Sequence, residues 1–112
     1  METLGKQVLL DLWLDSAMVF EDILNTIDKG LEIGKLEVVN HYIYHFKPYG
    51  DTGLYMLKES HLSCHYHPEH QYVAIDIYTC GNSSPKHCAD FIVSNLPVKK
   101  LIYKYFDRGT LQ

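Results

Sequence analysis

No apolar run in this 112-residue chain approaches the ~20 residues that span a bilayer. The N-terminus lacks a basic stretch followed by an uninterrupted apolar segment. Neither a membrane helix nor a secretory signal is therefore expected, and a cytoplasmic location is. Basic residues are few, 10 against 14 acidic ones for a net charge of −4, and they are scattered, which disfavours nucleic acid as a partner. Cysteine is scarce and odd in number: Cys64, Cys80 and Cys88 form no CxxC pair, so reduced thiols are expected rather than a disulfide framework. There is no repeat, linker or low-complexity tract, and the length suits one hydrophobic core, so residues 1–112 are read as a single domain.

What is present is ordinary globular composition, 46% apolar and 21% charged, which argues against a disordered chain. Two enrichments rise above it. There are nine tyrosines and seven histidines, and His61, His65, His67 and His70 fall within ten residues.

Val8 to Leu14 is short and mostly apolar and reads as a strand. Asp15 and Ser16 are suitable N-caps for a helix over Ala17 to Ile33, where Phe20, Ile23, Leu24, Ile27 and Leu31 recur at helical spacing and Gly34 is a stop. Leu36 to Phe46, rich in β-branched and aromatic residues, predicts a long strand, and Pro48 to Asp51 a turn. Leu54 to Lys58, His61 to Tyr66 and Tyr72 to Thr79 predict three more strands, the last two joined by a turn at Pro68 to Gln71. After a loop at Gly81 to Ser84, Ser84 caps a second helix with Pro85 at its first position, striped by Cys88, Phe91, Ile92 and Leu96 and ended by Pro97. Val98 to Phe106 is the last strand. The order β-α-β-β-β-β-α-β with short turns predicts an α+β fold, an antiparallel sheet with both helices on one face.

Alternation places His61, Ser63, His65 and His67 on one side of the fourth strand and Leu62, Cys64 and Tyr66 on the other. In the fifth, Tyr72, Ala74, Asp76, Tyr78 and Cys80 alternate with Val73, Ile75, Ile77 and Thr79. The apolar sets belong under the helices. His65 and Cys80 then share the opposite face, whose tyrosine-rich surface is a candidate dimer contact. Cys64 and Cys88 read as core, and His41, His45 and His87 carry no case.

Glu59-Ser60-His61-Leu62-Ser63-Cys64-His65-Tyr66-His67-Pro68-Glu69, followed by Asp76-Ile77-Tyr78-Thr79-Cys80-Gly81, resembles the small prokaryotic class of S-adenosylmethionine decarboxylase. Leu4 to Val8 and Phe46 to Gly50 resemble it too, in unbroken register, with the histidine five and the cysteine twenty residues after Ser60. The resemblance implies a self-processing enzyme cut after Glu59 into 1–59 and 60–112, with Ser60 converted into a covalent pyruvoyl group and no external cofactor. It implies His65 as the base in processing, Thr52 as the accompanying hydroxyl, and Cys80 as the acid that returns a proton to Cα. It implies Phe46 as one adenine-stacking ring and Glu69 as the carboxylate on the ribose hydroxyls. It also implies homodimers of processed protomers, with sites near the subunit interface, and a product feeding polyamine synthesis. A ketone that forms a Schiff base with the substrate amine explains the chemistry, because no ordinary side chain holds the electrons left on Cα by decarboxylation.

Two departures stand out. His67 occupies the place of a stacking tryptophan, and Asp51 adds a carboxylate where the family often has a small or apolar residue. A carboxylate could pair with a distal cation, so arginine or ornithine is an alternative substrate. A different alternative is a zinc-binding module built on His61, His65, His67 and Cys80. A third is an unprocessed structural or regulatory subunit.

Overall fold

The computed structural model describes residues 3–80 and 82–110; Gly81, in the expected loop after the fifth strand, lies outside them. The elements are β1 (Thr3–Leu14), α1 (Phe20–Ile33), β2 (Val38–His45), β3 (Asp51–Leu57), β4 (Ser60–His67), a 3-10 turn (Pro68–His70), β5 (Tyr72–Cys80), α2 (Pro85–Asn95) and β6 (Val98–Thr110). They form one six-stranded sheet in the order β2-β3-β4-β5-β1-β6, antiparallel at every pairing. The α+β architecture expected from the sequence is thus observed. Among the described residues, no helix is long and apolar enough to cross a membrane.

One side of the sheet is the core. Val8, Leu10, Leu12 and Leu14 of β1, Leu62, Cys64 and Tyr66 of β4, and Val73, Ile75 and Ile77 of β5 are buried, as alternation requires. They pack against Phe20, Ile23, Ile27 and Leu31 of α1 and Cys88, Ala89 and Ile92 of α2. Each such aliphatic side chain contributes roughly 1.5–3 kcal/mol of burial, which is what holds the helices to this side. Gly30 and Gly34 let the helices meet: a Cβ on Gly30 would lie 3.1 Å from the Cys88 carbonyl oxygen, and one on Gly34 3.2 Å from the Cys88 Cβ.

Several boundaries differ from expectation for visible reasons. The first helix begins at Phe20 with Val19 at its N-cap, not near Ser16. Leu14 and Asp15 still donate backbone hydrogen bonds to Gln71 and Pro97, at 2.8 Å each. The Tyr66 hydroxyl donates to the Met18 carbonyl at 3.0 Å and accepts from its N–H at 3.3 Å, holding the linker extended. Gly34 ends the helix in right-handed conformation, and Lys35 takes the left-handed turn instead. β3 begins at Asp51 rather than Leu54 because it pairs with β2 as far as His45. β6 continues to Thr110 because its whole length pairs with β1.

Candidate active site

β3 and β4 are joined by the two-residue turn Lys58–Glu59, with Leu57 opposite Ser60. Glu59 has φ 61°, a left-handed conformation that costs a residue with a Cβ roughly 1–2 kcal/mol. Such strain clusters where chemistry occurs. The last residue of β5 meets this turn. The Cys80 thiol donates to the Glu59 carbonyl oxygen at 2.8 Å, and its sulfur lies 3.7 Å from the Glu59 carboxylate. Ser60 is half-buried at the first position of β4 and keeps the parity of Leu62. The structure therefore brings Glu59 and Cys80 together at the peptide that precedes Ser60, whose side chain starts on the Leu62 side of the strand.

A second cluster sits at the other end of β4. Thr52 pairs with His65 across the sheet, and their side chains hydrogen-bond, Oγ1 to Nδ1, at 2.9 Å. They line a cavity of about 320 Å3 together with Phe46, Tyr49, Asp51 and His67. The Phe46 ring lies edge-on to Tyr44, with centroids 4.8 Å apart, and His67 stacks on Tyr72 at 5.7 Å. The carboxylate of Asp51 is already engaged, 2.5 Å from Nδ1 of His45 on β2. Glu69, on the 3-10 turn, is exposed and does not line this cavity.

The two clusters do not meet within one chain. Ser60 and His65 are five residues apart on a straight strand, which is about 17 Å at the rise of a β-strand. His65 and Cys80 do share the open face, but His65 stands opposite Ala74, six residues from Cys80. A spacing of five in the sequence thus marks two ends of one strand, not one constellation.

Between them the open face is organised around Tyr78. Its ring lies over Gly5, where a Cβ would come 2.3 Å from the hydroxyl oxygen and 2.6 Å from ring carbons. His61 stacks on the ring at 5.8 Å, and the Arg108 guanidinium lies 5.3 Å from its centroid. Arg108 donates to Gln7 at 2.9 Å, and Gln7 donates to Asp76 at 2.6 Å. This framework fixes the end of β5 that carries Cys80; Gly5 and Gln7 lie in the Leu4–Val8 stretch that carries the resemblance, but the sequence assigns no role to them or to Arg108. Their separation of up to 103 positions leaves no spacing signal, although a glycine in a strand hints at close approach. Among the described residues no three His, Cys, Asp or Glu side chains converge as metal ligands. His61, His65 and His67 are instead spread along one strand.

The remaining thiols are unlike Cys80. Burial pushes Cys64 up to about 12, with the Asp51 charge adding to it, and burial alone pushes Cys88 up to about 12. Both stay protonated and inert in the core.

The fold and the paired residues around a strained Glu-Ser peptide define a small α+β enzyme. Residues 6–109 match the family described as S-adenosylmethionine decarboxylase, and the chain belongs to that decarboxylase family. It is 34% identical, over 99% of its length and 86% of the relative's, to the S-adenosylmethionine decarboxylase proenzyme of Hydrogenobaculum sp. (strain Y04AAS1). The proenzyme of Geobacillus sp. (strain WCH70) is 38% identical, over 86% of this chain and 80% of the relative. The crystal structure of the adenosylmethionine decarboxylase from Aquifex aeolicus VF5 superposes with a TM-score of 0.87 at 31% identity, covering 100% of this chain and 96% of that one. The resemblance noted in the sequence is borne out. The comparisons lend no support to a basic-amino-acid decarboxylase, a metal-binding module or a structural subunit.

Proposed function

We propose that this chain cuts itself between Glu59 and Ser60, and that fragments 1–59 and 60–112 together decarboxylate S-adenosylmethionine to supply the aminopropyl donor of polyamine synthesis in the cytoplasm. The observation that carries this reading is the Glu59–Ser60 peptide itself. It sits in a left-handed turn, and its carbonyl oxygen is held by a thiol donor. Ser60 is adjacent to that carbonyl carbon. Attack by its oxygen moves negative charge onto the oxygen that the Cys80 thiol already contacts. The resulting ester leaves the Ser60 Cα proton as the next to be removed, by His65. Loss of that proton expels the Glu59 carboxylate, and water then releases ammonia, leaving a pyruvoyl group at position 60.

That group supplies the electron sink for the pair left on Cα when carbon dioxide departs. The chain's own residues do the rest. Cys80 lies beside residue 60 and returns a proton to the substrate carbon. Phe46 and His67, which line one cavity, take the nucleobase, and Glu69, exposed on the 3-10 turn that follows His67 and outside that lining, takes the ribose hydroxyls.

His65 reaches Ser60 only from a second copy. The open face carries Thr52, His65 and Cys80, with exposed Tyr42, Tyr44, Leu54 and Met56 alongside. Two such faces packed about a two-fold axis, with their β4 strands running oppositely, put the Thr52–His65 pair of one copy near residue 60 of the other. The working enzyme is then a homodimer with two shared sites. Carboxyl-labelled S-adenosylmethionine incubated with purified protein tests the assignment: labelled carbon dioxide is expected. Release from arginine or ornithine alone would overturn it.

A further inference from the structure

A cavity of about 260 Å3 opens beside the Glu59–Ser60 turn, at the edge away from the Thr52–His65 cluster. Lys35, Glu37, Lys58, Glu59, Cys80 and Ser83 line it. The Lys58 N–H donates to the Glu37 carbonyl at 3.0 Å, which ties the turn to the segment after α1. Lys35 is held in position by its own left-handed backbone and by its N–H donating to Glu32 at 3.0 Å. Among the described residues, neither lysine ammonium has a carboxylate within 4 Å.

Charge bookkeeping gives this cavity a task. Ordinary hydrolysis of a peptide bond creates a carboxylate and an ammonium together. Conversion of Ser60 to a pyruvoyl group consumes one water and yields the Glu59 α-carboxylate, a ketone and free ammonia. The nitrogen leaves, so the site keeps a new negative charge and gains no positive one. Before cleavage the lining is balanced, with Lys35 and Lys58 against Glu37 and Glu59. After it, one anion is in excess, at the position of the carbonyl that Cys80 now touches. An unpaired carboxylate there would compete with substrate for the thiol.

We infer that the Lys35–Lys58 cavity is a binding site for the carboxylate that self-cleavage creates at Glu59, drawing the end of the 1–59 fragment off the Cys80 thiol and out of the reaction space. This rests on the self-cleavage reading. Among the described residues the two lysines are the only cations of the lining, and residue 59 already forms part of it. The short tether from Lys58 makes the effective concentration high, so even exposed ion pairs suffice.

Carboxypeptidase trimming of the mature enzyme tests it, followed by intact mass. Glu59 should be protected in the native dimer, and trimming should accelerate about tenfold or more in Lys35→Ala/Lys58→Ala, a change that two weak ion pairs can produce. Lys35→Arg/Lys58→Arg should restore protection, and added salt should remove it from the unsubstituted enzyme. Trimming at equal rates in all three proteins, or a protection indifferent to salt, overturns the inference while leaving self-cleavage intact. A mass spectrum showing only uncut chain overturns both.

Discussion

The Cys80 thiol donates to the Glu59 carbonyl oxygen at 2.8 Å, although the two residues are 21 positions apart. The β4–β5 pairing makes this contact by setting His61 opposite Tyr78, which carries residue 59 to the level of residue 80. One sulfur is thereby placed to serve twice, first on the oxygen that gains charge during cleavage and then on the carbon that gains a proton during turnover. Cys80→Ala should cleave about tenfold more slowly, less than the loss of a full backbone oxyanion donor because a thiol is a weak one. Material allowed to finish cleaving should release carbon dioxide at least about 100-fold more slowly than the unsubstituted enzyme. Time courses on denaturing gels and trapped label separate the two effects.

The separation of His65 from Ser60 on one strand leads to a complementation test. Ser60→Ala and His65→Ala chains should each remain uncut alone. Co-expressed, the His65→Ala chain should be cut wherever its partner is a Ser60→Ala chain, roughly half of it under random pairing. No cleavage in the mixture, or cleavage of His65→Ala alone, would remove His65 of a second copy from the account. Intact mass distinguishes every species.

Gly5 is the seat of the Tyr78 ring. Gly5→Ala must swing that ring away, because the new methyl would overlap its hydroxyl and ring carbons. The stacking of His61 and the Arg108 contact go with it. A loss of about 1 kcal/mol is expected, a few degrees in Tm for a domain of this size. Cleavage should slow as well, since Tyr78 lies two residues before Cys80 on the same face. An unchanged melting curve would show that the ring is not held there.

The buried thiols give a pH dependence whose sign is fixed. Cys64 and Cys88 have raised values in the folded chain, about 12 against an ordinary 9.0. Their contribution to stability is complete below 9.0 and is lost as pH rises towards 12, because the unfolded chain releases these protons first. Resistance to unfolding measured across that window should fall as pH rises, and Cys64→Ala/Cys88→Ala should flatten the slope. At pH 8, iodoacetamide should modify Cys80 alone in the folded protein.

Much of the fold was legible because alternation is strict in β4 and β5, where Leu62, Cys64, Tyr66, Val73, Ile75 and Ile77 all proved to be core. The start of α1 was not legible. Ser16 has the chemistry of a cap, but the hydroxyl of Tyr66, 48 residues after Met18, holds both backbone groups of Met18 outside the helix. At the candidate site, Glu59 and Cys80 meet across the hairpin end, with Ser60 the next residue after Glu59. Thr52 and His65 were named with them and meet each other instead. Spacing along a chain gives the face of a strand but not the distance down it. Lys35 has no sequence signal, because the hairpin end reaches it only through the fold.

The most direct measurement is the intact mass of freshly purified protein, before and after phenylhydrazine. Two fragments, 1–59 and 60–112, with a hydrazone adduct confined to the second and absent from Ser60→Ala, are the predicted result. A single unmodified chain that still releases carbon dioxide from S-adenosylmethionine would contradict it.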